Sequence, residues 1–495
     1  MKSFFSNKKK TKQAEQEVVQ KKRPAPPLAE PSPPARKKAK PAAKASKADV
    51  SQKQTIKASR FGISNKDFPN NALSIVTKLH RNGYEAYIVG GCVRDLLLGK
   101  KPKDFDIATN ARPEEIKKVF GRNCRLIGRR FRLAHVVFGR EVYEVATFRA
   151  GHSKQLGEHI SRTSDEGMLL RDNVYGSLQD DAERRDFSVN ALYYDTQQGN
   201  ILDFYQGIED LKASKLRLIG DPTVRYQEDP VRMLRAIRFM AKLDMFLDKP
   251  TEAPIRELAP LLGNIPPARL FDESLKLLQA GQGLKTYQLL REYGLFDQLF
   301  PVLSAFFTEK GDSYAERMLD KALSSTDDRI RDNLRVNPAF LFAALLWYPL
   351  REKIDELKNE GGLNSYDALM LAANDILAES NRAVALHRRH TAVIRDIWQL
   401  QFQMTKRTGK RPLQTLAHVK FRAGFDLLVM RAEIEGGDLV ELSAWWHEFQ
   451  FSNEAQREEM LKNVHNLPNA RGEAAKKKKP KRKPYRRKKK VQEEA

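Results

Sequence analysis

Apolar and polar positions divide the chain into two regions of different periodicity. Between about residues 68 and 205, short apolar runs rich in β-branched and aromatic residues alternate with amphipathic segments, which predicts strands between helices. After about residue 221 the strand pattern ends, and apolar residues recur at helical spacing as far as about residue 465. We therefore predict an α+β protein, in which an N-terminal head with a mixed β-sheet is followed by an all-α neck and body.

Local signals assign the elements of the head. Residues 68–83 form an amphipathic pattern that stops at Gly83, and residues 112–121 carry a proline near a first turn, so both segments predict helices. A long polar stretch between Phe148 and Asp186 predicts a functional or mobile loop. Five segments predict strands: YEAYIVG, FDIAT, HVVFG, VYEVATF and VNALYYD.

Positive charge is concentrated at the two ends of the chain. The 495 residues carry a formal net charge of +25, of which residues 61–470 keep only +2. Residues 1–60 hold 17 Lys and Arg against 4 Asp and Glu, and residues 471–495 hold 13 against 3. Such compositions cannot bury enough apolar surface to offset the entropy of ordering. We therefore predict two disordered basic tails that bind a polyanion, most often nucleic acid.

Other features of the composition favour a cytoplasmic location. No segment approaches the length of a membrane span, and the first residues, MKSFFSNKKK, lack the apolar stretch of a signal peptide. The two cysteines, Cys92 and Cys124, have no metal-site spacing. A reducing compartment is the simplest inference.

The segment IVGGCVRDLLLGKKPKDFDIAT carries the clearest chemical signal. Asp104 and Asp106 stand two apart on a predicted strand, so both carboxylates leave one face, and a divalent cation such as Mg²⁺ would relieve their repulsion. Gly90 and Gly91 lie one strand earlier, where the missing side chains let a phosphate approach backbone N–H groups. Arg94 follows on the first turn, where it could clamp that phosphate. A tight turn beside a surface Asp pair is the alternative.

Two common phosphate-binding motifs are excluded. A P-loop would require glycine where Arg94 stands, and the chain has no dinucleotide-binding fingerprint. The order of strand, Gly-Gly, helix and strand with Asp-x-Asp favours nucleotidyl transfer over ATP hydrolysis.

Three motifs in sequence order resemble the tRNA nucleotidyltransferase/poly(A) polymerase family of polymerase β-like nucleotidyltransferases: GGCVRDLLLG…DFDIAT, RRDFSVNALYYD and EDPVRMLRAIRF. The resemblance covers roughly residues 68–300 strongly and the helical remainder more loosely. It implies that Asp104 and Asp106 hold two Mg²⁺ ions, and that Asp186 is a catalytic acidic residue near the sugar. It also implies that Arg185 and Asn190 lie beside Asp186, and that Asp229 and Arg232 contact the nucleotide. Arg235 extends a basic stripe that could face phosphates or solvent. With Gly90, Gly91 and Arg94, these residues form the predicted nucleotide-binding set.

Two of the assignments keep alternatives. The family implies that Asp229 and Arg232 pair with the edge of the incoming base as a protein template. However, Glu228-Asp229-Pro230 is also a good helix start with Asp229 as N-cap. Glu144 lies on a predicted strand, where it could be a third metal-site carboxylate or a salt-bridged residue.

Two activities share these motifs in the family, namely addition of CCA to tRNA and addition of poly(A) to RNA. The segment LIGRRFRLAHVVF resembles the signature of bacterial poly(A) polymerases, and its Arg129 and Arg130 suit a nonspecific RNA primer. We therefore predict template-independent transfer of AMP from ATP to RNA 3′ ends, with release of pyrophosphate, in mRNA processing and decay. CCA addition and a non-catalytic RNA-binding protein are the alternatives. Tail residues predicted to contact RNA are Lys476, Lys477, Arg486 and Arg487.

The predicted organisation has five parts, and other RNA-processing proteins are candidate partners. The parts are a basic tail (1–60), a catalytic head (61–220), a neck for nucleotide recognition and RNA binding (221–290), an all-α body with a C-terminal RNA-binding domain (291–470) and a second basic tail (471–495).

Overall fold

A mixed sheet forms the centre of the head. The computed structural model describes residues 53–128, 132–150, 161–163, 169–172, 174–308 and 310–464. Their strands are β1 (Gln54–Lys57), β2 (Ala86–Val89), β3 (Asp106–Thr109), β4 (Cys124–Ile127), β5 (Leu133–Phe138), β6 (Glu141–Thr147), β7 (Ser161–Thr163), β8 (Leu169–Asp172), β9 (Leu192–Asp195), β10 (Asn200–Asp203), β11 (Lys215–Leu216) and β12 (Phe246–Leu247). Eight of these strands form the sheet, in the order β1-β10-β9-β2-β3-β6-β5-β4.

The pairing of β3 with β6 sets two carboxylates side by side. These two strands run parallel, whereas the other neighbours in the described sheet run antiparallel. Ile107 pairs with Val145, so Asp106 at the start of β3 lies beside Glu144 on β6. Since side chains alternate along a strand, both carboxylates leave the sheet on the face opposite to Ile107 and Val145, which belong to the main core.

Helices pack against the sheet and form most of the described chain after it. They are α1 (Asn70–Arg81), α2 (Gly91–Leu97), α3 (Pro113–Phe120), α4 (Leu178–Glu183), α5 (Gly207–Lys212), α6 (Pro222–Glu228), α7 (Val231–Leu243), α8 (Lys249–Glu252), α9 (Ile255–Leu258), α10 (Pro267–Leu278), α11 (Gly283–Glu292), α12 (Phe296–Leu299), α13 (Pro301–Ser304), α14 (Tyr314–Arg331), α15 (Pro338–Leu345), α16 (Trp347–Asn359), α17 (Ser365–Ala383), α18 (Arg388–Met404), α19 (Arg411–Leu416), α20 (Phe421–Glu435), α21 (Asp438–Phe451) and α22 (Glu454–Asn463).

Helix α7 ties the head to the helical region. Its residues Leu234 and Ile237 are buried in the same core as Ile107 of the sheet and Leu290 of α11. A separate apolar cluster around Trp446 joins α18, α20 and α21 near the C-terminal end of the described chain. Among the described residues, no helix is both long and apolar enough to cross a bilayer.

The predicted α+β class is confirmed, and the helices expected over 68–83 and 112–121 correspond to α1 and α3. The expected end of the N-terminal tail at residue 60 is wrong for its last part. Ile56 of β1 pairs with Ile201 of β10 at the edge of the sheet. This pairing gives hydrogen-bond partners to the backbone of a segment whose composition predicted a disordered tail.

Two further expectations need correction. The stretch predicted as a loop contains the antiparallel pair β7 and β8, while the other residues of 151–173 lie outside the described residues. Strand structure also does not end at residue 221, because β12 pairs in parallel with β11. Two-residue strands are too short to produce a periodic pattern in the sequence.

Candidate active site

A cleft of about 400 Å³ opens on the face of the sheet that carries Asp106 and Glu144. Its lining comes from strands β2, β3, β5 and β6, from residues 149 and 184–186, from the α6–α7 junction, and from α7 and α10. The charged residues in its lining are the carboxylates of Asp106, Glu144, Asp186, Asp229 and Glu273 and the guanidinium groups of Arg149, Arg184, Arg185, Arg232, Arg235 and Arg269.

Negative charge is crowded at the start of β3. The Asp106 side chain is exposed in the cleft, but surrounding protein removes part of the water around its carboxylate. This partial burial and the negative charge of Glu144 raise the pKa of Asp106 to about 6. Arg185 opposes this rise in the pKa of Asp106, and Asp104 adds to it. Excess negative charge of this kind is what a bound divalent cation would neutralise.

The structure corrects one detail of the predicted acidic pair. Strand β3 begins at Asp106, so Asp104 lies two residues before it and not on the same strand face. Among the described residues, no group of three or more His, Cys, Asp or Glu side chains forms a ready-made metal site. The fit to a cation therefore depends on Asp106 and its neighbour Glu144, with Asp104 close enough to act on the pKa of Asp106.

Gly90 occupies a backbone conformation that favours glycine. Its φ is 82° and its ψ is −127°, and the next residue, Gly91, begins α2. A Cβ atom added to Gly90 would stand 3.4 Å from Nη1 of Arg185 and 3.6 Å from the carbonyl oxygen of Asn190. The positive φ is therefore what requires glycine at this turn, while an added Cβ would lie in ordinary van der Waals contact with the Arg185 guanidinium.

Asp186 is fully engaged by donors from its own loop and from α7. Its Oδ2 accepts hydrogen bonds from Nε and Nη2 of Arg235 at 2.7 and 2.5 Å. Its Oδ1 accepts from the Phe187 backbone N–H at 2.8 Å and from Nδ2 of Asn190 at 3.0 Å. Burial alone would raise the pKa of Asp186, but Arg235 and these hydrogen bonds hold it well below its usual range.

Arg94 lies behind the cleft, where it continues the same network. Its side chain is 3% exposed, and it donates from Nη1 to Oδ1 of Asn190 at 2.6 Å. Nε and Nη2 both donate to Oδ1 of Asp95, at 2.8 and 2.6 Å. Arg94 is not part of the cleft lining, so the structure gives it the place of a support for Asn190, and direct contact with a phosphate stays a prediction.

The predicted base-reading residues have separate partners. Oδ2 of Asp229 accepts from Nη2 of Arg269 on α10 at 2.7 Å. Nη1 of Arg232 donates to Oε2 of Glu228 at 2.9 Å and to the carbonyl oxygen of Arg225 at 2.6 Å. Both residues line the same cleft as Asp106 and Glu144.

The helix start predicted at Asp229 is displaced by one residue. Helix α7 begins at Val231 and Pro230 is its N-cap. Oδ1 of Asp229 nevertheless accepts the backbone N–H of Val231 at 3.3 Å. Asp229 therefore combines a contact with the helix end and a place in the cleft, so the two alternatives for this residue are compatible.

Four charged residues of the cleft were not predicted from the sequence: Arg149, Arg184, Arg269 and Glu273. Arg184 directly precedes the predicted residue Arg185 in the RRDF motif, so the motif could have indicated Arg184 as well. The α10 pair carried no such signal, because its segment showed only helical periodicity. The predicted RNA contacts lie outside the described residues: Arg129, Arg130, Lys476, Lys477, Arg486 and Arg487.

Three segments of the chain match known families. Residues 86–217 match "Poly A polymerase head domain", residues 244–307 match "Probable RNA and SrmB- binding site of polymerase A", and residues 361–490 match "Polymerase A arginine-rich C-terminus". The chain is also 69% identical over 415 residues to Poly(A) polymerase I of Haemophilus influenzae, across 84% of this chain and 92% of that protein. The chain belongs to the bacterial poly(A) polymerase family.

Further comparisons agree with this family. Poly(A) polymerase I of Salmonella typhimurium is 54% identical over 418 residues, which cover 83% of this chain and 89% of that one. The solved structure of the Bacillus stearothermophilus CCA-adding enzyme in complex with CTP matches with a TM-score of 0.50 and 25% identity, across 81% of this chain and 82% of that one. The family resemblance inferred from the three motifs is thus confirmed.

Replacing Gly90 by alanine should damage both the turn and the site. We expect a loss of roughly 1–3 kcal/mol in the free energy of unfolding, because a side chain is strained at a φ of 82°. Gly99→Ala is the matched control, since Gly99 also has a positive φ, of 67°, but an added Cβ has nothing within 4 Å. Both substitutions should lower the melting temperature, whereas nucleotide binding should weaken only for Gly90→Ala, where the added methyl group contacts Arg185. Equal nucleotide binding by the two variants would contradict a place of the Gly90 turn in the site.

Proposed function

We propose that this chain is a polynucleotide adenylyltransferase, which transfers AMP from ATP to the 3′-hydroxyl of RNA without a template and releases pyrophosphate. The observation that carries the proposal is the 69% identity to a poly(A) polymerase across 92% of that protein. The cleft supports it, because the carboxylates of Asp106 and Glu144 share one lining with six arginines. The CCA-adding alternative has weaker support, since the CCA-adding enzyme of Bacillus stearothermophilus is 25% identical to this chain, against 69% for the poly(A) polymerase.

The carboxylates beside β3 would hold the metal. Asp106 and Glu144, with Asp104 nearby, present the oxygen ligands that Mg²⁺ prefers, and we propose two such ions, as in the two-metal scheme. Bound there, the ions would lower the pKa of the RNA 3′-hydroxyl and neutralise charge on the reacting phosphates. Asp106 and Glu144 stand on two paired strands, so their positions relative to each other are set by the sheet.

The arginines of the cleft would bind the polyphosphate. Guanidinium groups match phosphate oxygens with two parallel hydrogen bonds, and Arg185 lies against the turn at Gly90. Asp186 holds Arg235 through two hydrogen bonds, so this guanidinium reaches the cleft already oriented. An arrangement fixed before the substrate arrives costs little reorganisation during the reaction.

The neck would select the base. Asp229 and Arg232 carry an acceptor and a donor into the cleft, which is the pair of functions needed to read the edge of adenine. Arg269 and Glu228 hold these two side chains in fixed positions. A fixed donor and acceptor discriminate against bases with the opposite pattern, because a mismatched polar group would be left unpaired.

RNA 3′ ends and ATP are the proposed substrates, and other RNA-processing proteins stay predicted partners. The two basic segments of the sequence would add contacts to RNA phosphates that do not depend on base sequence. The two cysteines are free and buried thiols, which fits a reducing, cytoplasmic site of action. A role in mRNA processing and decay stays a prediction.

The proposed activity is tested by supplying each of the four nucleotides separately to the full-length protein with Mg²⁺. One primer is an unstructured oligo(A), and the other is a tRNA that lacks its terminal CCA. We expect long extension of oligo(A) with ATP and little with the other nucleotides. Addition of only C, C and A to the tRNA would support the CCA-adding alternative. No incorporation on either primer would favour a non-catalytic RNA-binding protein.

Removal of the Asp106 charge should stop the chemistry but not RNA binding. We expect Asp106→Asn to slow AMP incorporation by roughly 10²–10³-fold, the size found when one electrostatic group is lost. Binding of oligo(A) should change little, because phosphate contacts come from Lys and Arg. Glu141→Gln on the same strand as Glu144 is the control, since Glu141 is not in the cleft lining. Substantial elongation by Asp106→Asn would refute the metal-binding assignment.

Changing the base-reading pair should alter nucleotide choice. We expect Arg232→Ala or Asp229→Ala to reduce the ratio of kcat/KM for ATP over that for CTP by about tenfold or more, with little change in primer affinity. Lys242→Gln, an exposed position on the same helix α7, should keep the ratio. A purely structural role of Asp229 predicts instead a loss of about 1 kcal/mol in stability with selectivity unchanged.

A further inference from the structure

One buried carboxylate holds two arginines of the cleft. Asp181 on α4 is 1% exposed, and neither the sequence motifs nor the cleft lining includes it. Its Oδ1 accepts from Nε and Nη2 of Arg184 at 3.0 and 2.5 Å and from the Arg149 backbone N–H at 3.3 Å. Its Oδ2 accepts from Nε and Nη2 of Arg185 at 3.3 and 3.0 Å, and from the hydroxyl of Tyr193 at 2.8 Å.

The two arginines are held in the same manner. Each gives Nε and Nη2 to Asp181, so in both cases the bonded edge of the guanidinium faces away from Nη1. In Arg185, that Nη1 is the atom 3.4 Å from the Cβ position at Gly90. Both side chains line the cleft and keep about a fifth of their surface exposed, 23% for Arg184 and 19% for Arg185. Within the part of the chain that the structure describes, this arrangement leaves Nη1 of each arginine for a ligand.

Two further contacts remove the remaining freedom of the pair. The Tyr193 hydroxyl accepts from Nε of Arg185 at 2.9 Å while it donates to Asp181, so it fixes the Arg185 side chain from a second direction. Nη2 of Arg225 donates to the backbone carbonyl oxygens of Arg184 and Arg185, at 2.6 and 2.8 Å. Side chains and backbone of the pair are therefore both constrained.

Charge explains why one carboxylate serves two arginines. Adjacent guanidinium groups repel each other, and a buried anion between them offsets that repulsion. The pair and Asp181 together keep a net charge of +1 beside the cleft, next to the carboxylates of Asp106 and Glu144. Burial alone would raise the pKa of Asp181, but Arg185, Arg184 and Tyr193 hold it well below its usual range, so the anion persists at neutral pH.

We propose that Asp181 is a positioning residue that sets Arg184 and Arg185 as a two-arginine clamp on the polyphosphate of the nucleotide. Arg184 is then a second phosphate-binding residue beside Arg185. The inference rests on the proposed function, since it names the part of that site that holds the phosphates beyond the transferred AMP. It separates a phosphate side of the cleft, controlled by Asp181, from a base side formed by Asp229 and Arg232.

The test compares two inhibitors that share different parts of ATP. Pyrophosphate carries only the phosphates that the clamp would hold, and AMP carries the base, the sugar and one phosphate. We expect Asp181→Asn to raise the inhibition constant of pyrophosphate and the KM for ATP by about tenfold or more. The reason is that Arg184 and Arg185 are then no longer held in the orientation in which each donates a charge-assisted hydrogen bond to a phosphate. The inhibition constant of AMP should stay within about twofold.

Glu316→Gln is the matched control for the loss of a buried carboxylate. The Glu316 side chain is 2% exposed and pairs with Arg291 at 2.7 Å, on helix α14 of the body. Thermal unfolding should show a loss of stability for both variants. Only Asp181→Asn should weaken the binding of pyrophosphate.

Two milder substitutions keep the proposal testable if Asp181→Asn does not fold. Arg184→Gln should weaken pyrophosphate binding, and Tyr193→Phe should do so to a smaller extent, since it removes one of the contacts to Arg185. A folded Asp181→Asn with unchanged pyrophosphate inhibition would overturn the proposal. So would equal weakening of pyrophosphate and AMP, or no effect of Arg184→Gln. Failure of the wild-type chain to extend oligo(A) would instead refute the proposed function.

Discussion

The parallel pairing of β3 and β6 is the constraint on which the site depends. Ile107 and Val145 occupy the core side of this pair, and that burial fixes the register. A slip of one residue in either strand would turn its carboxylate toward the core and an aliphatic side chain toward the cleft. The energy that sets the position of Asp106 and Glu144 therefore comes from apolar packing on the other face of the sheet.

Ion pairs then hold the charged side chains around the cleft in place. Asp186 holds Arg235, Asp229 pairs with Arg269, and Asp181 holds the arginines of the RRDF motif. Such pairs gain little net stability, because removing two charges from water costs about as much as their attraction returns. Their value lies in geometry, since each guanidinium is fixed before a substrate arrives.

Much of the fold and of the site could be predicted from local patterns. One cleft is lined by four of the predicted residues, Asp106, Arg185, Asp229 and Arg232. They could be recognised in the sequence because each stands in a short motif with distinctive spacing. What escaped prediction is pairing between distant segments. Strand β1 reads as part of a basic tail until its partner β10 is known.

The sequence did not predict several charged residues of the site for the same reason. Arg269 and Glu273 stand in a helix whose periodicity reports only its buried stripe. Asp181 lies in a polar stretch that the pattern assigned to a loop, and nothing local indicates that both neighbouring arginines fold back on it. Ion pairs of this kind leave no periodic signal, so they become visible only with coordinates.

The contacts of Arg225 and Arg235 bear on how this family can be recombined. The segment that matches the head family ends at residue 217, yet Arg225 and Arg235 lie beyond it and support the loop that carries Arg184, Arg185 and Asp186. A chimera that joined residues up to 217 of this chain to the following residues of a relative would keep these contacts only where the relative also carries arginines at the two positions. The structural unit around this loop therefore extends beyond the end of the family match.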